Sequence, residues 1–316
     1  MENLINSQIN VDDMSVSEKK EYYEELRKKC LMLDNDQLHF GQDLIKIIYP
    51  LLRKYKIEIQ GIENIPKDSN VLFVANHSNS HDIFTAYEVF SFLKRRSSVM
   101  IATDCLSFPT TQIFNVSNAT LLDRNIKAER QNSVLKLSSK LLNGSDGLIF
   151  GEGTWNLHPT KTMHNIQNGA AKVSNITQVP IIPVIFEYVE KDDFVSSDSE
   201  LFDKCIIRFG KPLYYDYNYD LSYQSANIKN EMTKIREEIW SDYNINKNDL
   251  KNIDPAMYLN HTYAKKFKAF GFTYDSKKEQ KFLLFLENEK KENEYTLNDQ
   301  GILIPGITEK TYKLRK

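Results

Sequence analysis

Residues 70–82 read NVLFVANHSNSHD: a short apolar run, Val71 to Ala75, that breaks into a polar loop. Such a run, bounded by turn-forming residues, predicts a buried β-strand. From Asp82 onward Ile83, Phe84, Tyr87 and Phe90 recur at helical spacing, so the loop joins a strand to a helix. The pattern repeats on both sides. KIEIQGIENIP (56–66), SSVMIAT (97–103), NATLLD (118–123), DGLIFGE (146–152), VPIIPVIFEY (179–188) and KCIIRFGKPL (204–213) are strand-like, with helical stretches at 126–142, 165–176 and 224–243. Strands alternating with helices predict an α/β fold, a central sheet flanked by helices.

Two helices precede this core. Residues 17–33 read as a charged helix with Ser17 as its cap, and residues 36–55 as an amphipathic one that Pro50 kinks or ends. The apolar face of the second (Leu38, Leu44, Ile45, Ile48, Leu51, Leu52, Tyr55) fits either the protein's own core or a membrane surface. The expected organisation is an N-terminal helical segment (1–55), a main domain (56–245) and a helical C-terminal extension (246–316). Residues 251–316 hold 13 Lys and Arg against 9 Asp and Glu. That mild excess suits either a solvated appendage or a docking surface for an acidic carrier or anionic membrane.

Composition narrows the class. Hydrophobic residues at 41% and charged residues at 27% of 316 allow a sizeable core. A net charge of -2 argues against a general nucleic-acid binder. Cys30, Cys105 and Cys205 form neither a disulfide framework nor a thiolate metal set, which fits a reducing compartment. The first residues lack a secretory pattern, and no apolar stretch approaches the ~20 residues of a membrane span. A cytoplasmic protein, peripheral at most on the inner face of a membrane, is expected.

The chemistry centres on His77 and Asp82. A spacing of five turns the second side chain by about 140° on a straight helix, so the two meet only if the loop folds His77 back onto the first helical turn. Ser80 is the expected cap of that helix. A carboxylate on the imidazole would fix its tautomer and leave the other nitrogen to take a proton from a hydroxyl. There is no G-x-S-x-G elbow and no cysteine beside this loop, so the nucleophile comes from the substrate. His77, His81 and Asp82 as metal ligands of a hydrolase remain an alternative. Gly151 and Gly153 lack the third glycine of a dinucleotide loop.

With these residues in view, the chain resembles the glycerolipid acyltransferases, whose lysophosphatidic acid and glycerol-3-phosphate members carry a histidine, four residues and an aspartate. NHSNSHD is similar to their first block, Asn118 to Arg124 (NATLLDR) to the second, Phe150 to Asn156 (FGEGTWN) to the third, and Val179 to Pro183 (VPIIP) to the fourth. Phe209 to Leu213 resembles the phrase that closes the domain. Asn118 stands where glycine is usual. The resemblance implies His77 as general base and Asp82 as its orienting partner. It implies substrate contacts from Asn79, Asp123, Arg124, Glu152, Gly153, Thr154 and Trp155, with Pro180 shaping the acyl site. It implies no metal or bound cofactor, an acyl-CoA or acyl carrier protein thioester as co-substrate, and a hydroxyl acceptor that is lipid or glycan-linked. A catalytically weak lipid-binding member of the family is the further alternative.

Trp155 departs from the family, where an arginine contacts the acceptor's phosphate. An indole has one donor and no charge, so it is a poor substitute for a guanidinium fork on a phosphate monoester. The departure points to an acceptor other than lysophosphatidic acid, although Arg124, Lys161 and Lys172 offer other cations.

Overall fold

A computed structural model describes residues 10–33, 38–79, 81–103, 108–156, 162–190 and 202–245, together with 295–297 and 303–305. A seven-stranded sheet forms the centre, from β1 (Lys56–Gln60), β2 (Leu72–Ala75), β3 (Ser97–Ala102), β4 (Thr120–Leu122), β5 (Asp146–Phe150), β6 (Ile181–Glu190) and β7 (Phe202–Phe209). Their spatial order is β1-β7-β6-β2-β5-β3-β4. The five strands from β6 to β4 run parallel, with Leu72 opposite both Gly147 and Ile181. β7 pairs antiparallel with β6, and β1 runs alongside β7 in parallel register.

Alternation along the buried strands sends side chains to opposite faces. Phe73, Val99, Leu148 and Ile182 face one helical layer, while Leu72, Val74, Ile149 and Ile181 face the other. The first layer contains α2 (Phe40–Leu52), α3 (Asp82–Phe92) and α4 (Phe108–Asn115). The second contains α5 (Lys127–Leu142), α6 (Gly169–Thr177) and α7 (Leu221–Asp242). The remaining helix, α1 (Val16–Leu31), packs outside α5 and α6 through Tyr23, Cys30 and Ala171. The architecture is α/β, a sheet between helical layers.

The N-terminal boundaries differ from those the sequence suggested. Helix α1 begins at Val16, capped by Ser15 rather than Ser17, because Ser15 and Glu18 form a reciprocal capping box. Helix α2 runs through Pro50 and ends at Leu52.

Helix α2 also presents two apolar faces. Ile45 and Tyr49 are buried inward, whereas Phe40, Ile47 and Leu51 are 68%, 66% and 80% exposed, with Leu44, Ile48 and Leu52 beside them. The inward side is keyed tightly. The Gly41 amide donates to Val116 O at 2.7 Å, and a β-carbon at Gly41 would lie 2.0 Å from Ser117 Oγ. Gln42 Nε2 donates to the carbonyls of Ser97 and Ser117, and Arg53 pairs with Glu88 at 2.8 Å.

No helix among the described residues is long and apolar enough to cross a membrane. Of residues 246–316, expected to be helical, Tyr295–Leu297 and Leu303–Pro305 are described, and they pair as antiparallel strands. The rest of that segment, like Ser80, Cys105 and Lys161, lies outside the described residues.

Candidate active site

The carboxyl ends of parallel strands are where open α/β sheets place their ligand crevices. Here the segments following β2, β5 and β4 carry His77, Glu152 and Arg124 to that edge. Asp82 is the first residue of α3, fully buried, with His81 at the N-cap. Its Oδ2 accepts hydrogen bonds from the backbone of Ser78 at 2.8 Å and of Asn79 at 2.9 Å. The same oxygen accepts from His77 Nδ1 at 2.8 Å. Three donors on one oxygen fold the loop around the helix start, and the helix dipole favours a carboxylate there. Asn79 shapes this turn itself, its Oδ1 accepting the His81 amide at 3.0 Å.

The imidazole of His77 stacks on Phe150, with ring centres 4.2 Å apart and planes at 21°. Trp155 approaches from another side, 5.4 Å away and tilted by 53°. The Asn156 amide donates to the His77 carbonyl. Burial pushes the His77 pKa below the usual 6.5, and the charge of Arg124 adds to the fall, while Asp82 opposes both. The ring is therefore neutral at neutral pH and able to accept a proton.

Glu152 is buried, and its carboxylate faces the backbone. Oε1 accepts the His77 amide at 3.2 Å and Oε2 the His164 amide at 2.7 Å. Burial lifts its pKa to about 7, against the pull of those amides and of Arg236. Gly153 adopts φ 70°, a left-handed turn that suits glycine. Its carbonyl accepts from Arg124 Nη1 at 3.1 Å, which ties the post-β4 segment to the post-β5 loop. Thr154 is buried beside it. Asp123 organises its own turn, accepting from the Asn125 amide at 2.8 Å.

Asn118, in the glycine's usual place, has φ 56°. Asparagine tolerates that left-handed backbone better than most residues.

The structure thus gathers His77, Asp82, Arg124, Glu152, Gly153 and Trp155, with Asn79, Asp123 and Thr154 in the adjoining turns. Pro180 does not join them. It precedes β6, its carbonyl accepting the Leu72 amide at 3.0 Å. That lies at the opposite end of β2 from His77, five residues of extended chain or about 17 Å away. His81 Nδ1 lies 2.7 Å from Tyr49 Oη on α2, turning its ring toward that helix. Among the described residues, no group of three His, Cys, Asp or Glu side chains is placed to hold a metal ion. Phe150, Asn156, His164 and Arg236 contribute contacts that the sequence motifs did not single out; only Phe150 and Asn156 stood inside a recognisable block.

Comparison with known proteins adds a likeness over part of the chain. Among solved structures, the chain is similar to the crystal structure of the 1-acyl-sn-glycerophosphate (LPA) acyltransferase PlsC from Thermotoga maritima. The two share 20% identity and a TM-score of 0.41 over 77% of this chain and 86% of that one. No curated protein matches the sequence. Residues 56–187 match the Acyltransferase family model, and this span contains His77, Asp82, Arg124, Glu152 and Trp155. The likeness to that family therefore lies in residues 56–187, the segment that holds the site.

Proposed function

We propose that the chain transfers an acyl group from a thioester, acyl-CoA or acyl carrier protein, to the hydroxyl of a lipid-type acceptor, with His77 as general base. The observation that carries the proposal is the 2.8 Å contact of His77 Nδ1 with Asp82 Oδ2 at the sheet's carboxyl edge. With Nδ1–H held by the carboxylate, Nε2 takes the hydroxyl proton as the acceptor oxygen attacks the thioester carbonyl. The carbon–sulfur bond then breaks, and the imidazolium returns the proton to the departing thiolate. No protein nucleophile is needed.

The acceptor we favour bears no phosphate monoester at the hydroxyl-bearing end. Trp155 brings an uncharged ring beside His77, and Arg124 is the one cation among the residues gathered there. Glycolipids and related neutral lipids fit this chemistry better than lysophosphatidic acid or glycerol phosphate. A lipid acceptor also gives the outward face of α2 a purpose. Its exposed apolar side chains, flanked by exposed Lys46 and Lys54, suit the surface of an anionic bilayer.

Purified protein with palmitoyl-CoA and a panel of acceptors tests the proposal. Thiol release and acylated product should both appear with a neutral lipid acceptor and both vanish in His77→Ala. Full turnover in that variant would remove His77 as the base.

A further inference from the structure

We propose that Arg236 is a positioning residue for this acyl transfer: from α7 it braces the Thr162–His164 segment against Glu152 and so sets the backbone of His77. The inference rests on His77 serving as the base. Arg236 lies outside residues 56–187, on a helix that the family match does not reach.

The chain of contacts is continuous. Arg236 Nε donates to Glu187 Oε2 on β6 at 2.7 Å, and both side chains are buried. Trp240 Nε1 holds the other Glu187 oxygen at 2.9 Å, and its ring centre lies 5.3 Å from the guanidinium carbon. Arg236 Nη1 donates to Thr162 O at 2.6 Å. Two residues further on, the His164 amide donates to Glu152 Oε2, whose partner oxygen accepts the His77 amide. A guanidinium fork fixed on one side by a carboxylate is well suited to hold a carbonyl on the other. A buried ion pair contributes little net stability against its desolvation, so the gain here is position.

Electrostatics reinforces the geometry. Arg236 from α7 and the amides of His77 and His164 favour the carboxylate form of Glu152, whereas burial and Asp82 from α3 favour the acid. Once protonated, Glu152 loses acceptor capacity toward the two amides it holds. Loss of the guanidinium charge therefore loosens His77 through Glu152, and more so at lower pH.

Amide hydrogen exchange on the full-length chain, followed from pH 6 to pH 9 and corrected for intrinsic rates, reads this without any substrate. Arg236→Met should raise the pH at which peptides containing His77 and His164 lose protection by about one unit or more. Arg236→Lys should restore most of that shift. Glu187→Gln keeps the guanidinium charge and removes its counter-charge, so it should move the midpoint down, where Arg236→Lys leaves a small upward shift. With palmitoyl-CoA and monoacylglycerol, Arg236→Met should lower kcat at pH 7 about tenfold with KM for palmitoyl-CoA within about twofold. An unmoved midpoint in Arg236→Met, equal shifts in the Met and Lys variants, or an unchanged kcat would overturn the proposal. If Arg236→Met does not fold, the Lys and Gln variants decide it by the opposite signs expected of them. If the unaltered protein shows no turnover, the acceptor assignment fails and the exchange midpoints alone judge Arg236.

Discussion

The indole of Trp155 and the imidazole of His77 lie 5.4 Å apart, centre to centre, with Trp155 almost wholly buried. A side chain so close to the proposed base bears on which acceptor reaches it. We expect the unaltered enzyme to acylate monoacylglycerol in preference to lysophosphatidic acid, and Trp155→Arg to shift the ratio of kcat/KM toward the phosphate by about tenfold or more. Parallel assays with palmitoyl-CoA measure both. A wild-type preference for lysophosphatidic acid would show that the tryptophan does not set acceptor choice.

His77→Ala and Asp82→Ala should each lower turnover by a factor of about 10² to 10⁴, the usual worth of a positioned base and its orienter. Their stabilities should differ. Removing Asp82 strips the acceptor from the Ser78 and Asn79 amides, a loss of about 1–3 kcal/mol per buried group left unpaired. Denaturant unfolding of both variants checks this. Asp82→Ala as stable as His77→Ala would mean that the loop does not depend on its carboxylate.

Glu152 gives stability a pH signature. Its carboxyl titrates at about 7 in the fold against an ordinary value of 4.5, so folding favours the protonated form. That contribution is complete below the unfolded value and fades as pH rises from 4.5 through 7, by on the order of 3 kcal/mol in full. Unfolding free energies of the wild type and Glu152→Gln should therefore diverge across this window, with the wild type losing ground as pH rises. A constant difference from pH 5 to pH 8 would contradict the raised pKa.

On α2, Ile47→Asp combined with Leu51→Asp should abolish flotation with phosphatidylglycerol vesicles, since two exposed apolar anchors become charges. The melting temperature should move little, because neither side chain is in the core. Undiminished flotation would assign lipid contact to another surface.

Much of the sheet was legible in sequence because buried parallel strands are short continuous apolar runs, as in Leu72–Ala75 and Asp146–Phe150. The strand order was not, since nothing local states that β7 inserts between β1 and β6. Helix starts depended on which serine found a partner: Ser15 has Glu18 three residues on and so displaced Ser17. The third block revealed Glu152 but not where its carboxylate points, which depends on amides contributed by His77 and His164. Arg236 was illegible for a similar reason. It sits in an ordinary charged helical stretch, and its role arises only where α7 packs over Glu187. Pro180 shows the converse, a motif residue whose place in the strand register takes it away from the cluster.

The close seating of Gly41 on Ser117, with Gln42 reaching two backbone carbonyls, leaves α2 no hinge of its own on the sheet. A tethered anchor lets an enzyme roll on a bilayer; a keyed one does not. With lipid beneath its outer face, α2 would act as a keel, fixing the tilt of the whole sheet and the height at which a hydroxyl must leave the membrane to reach His77.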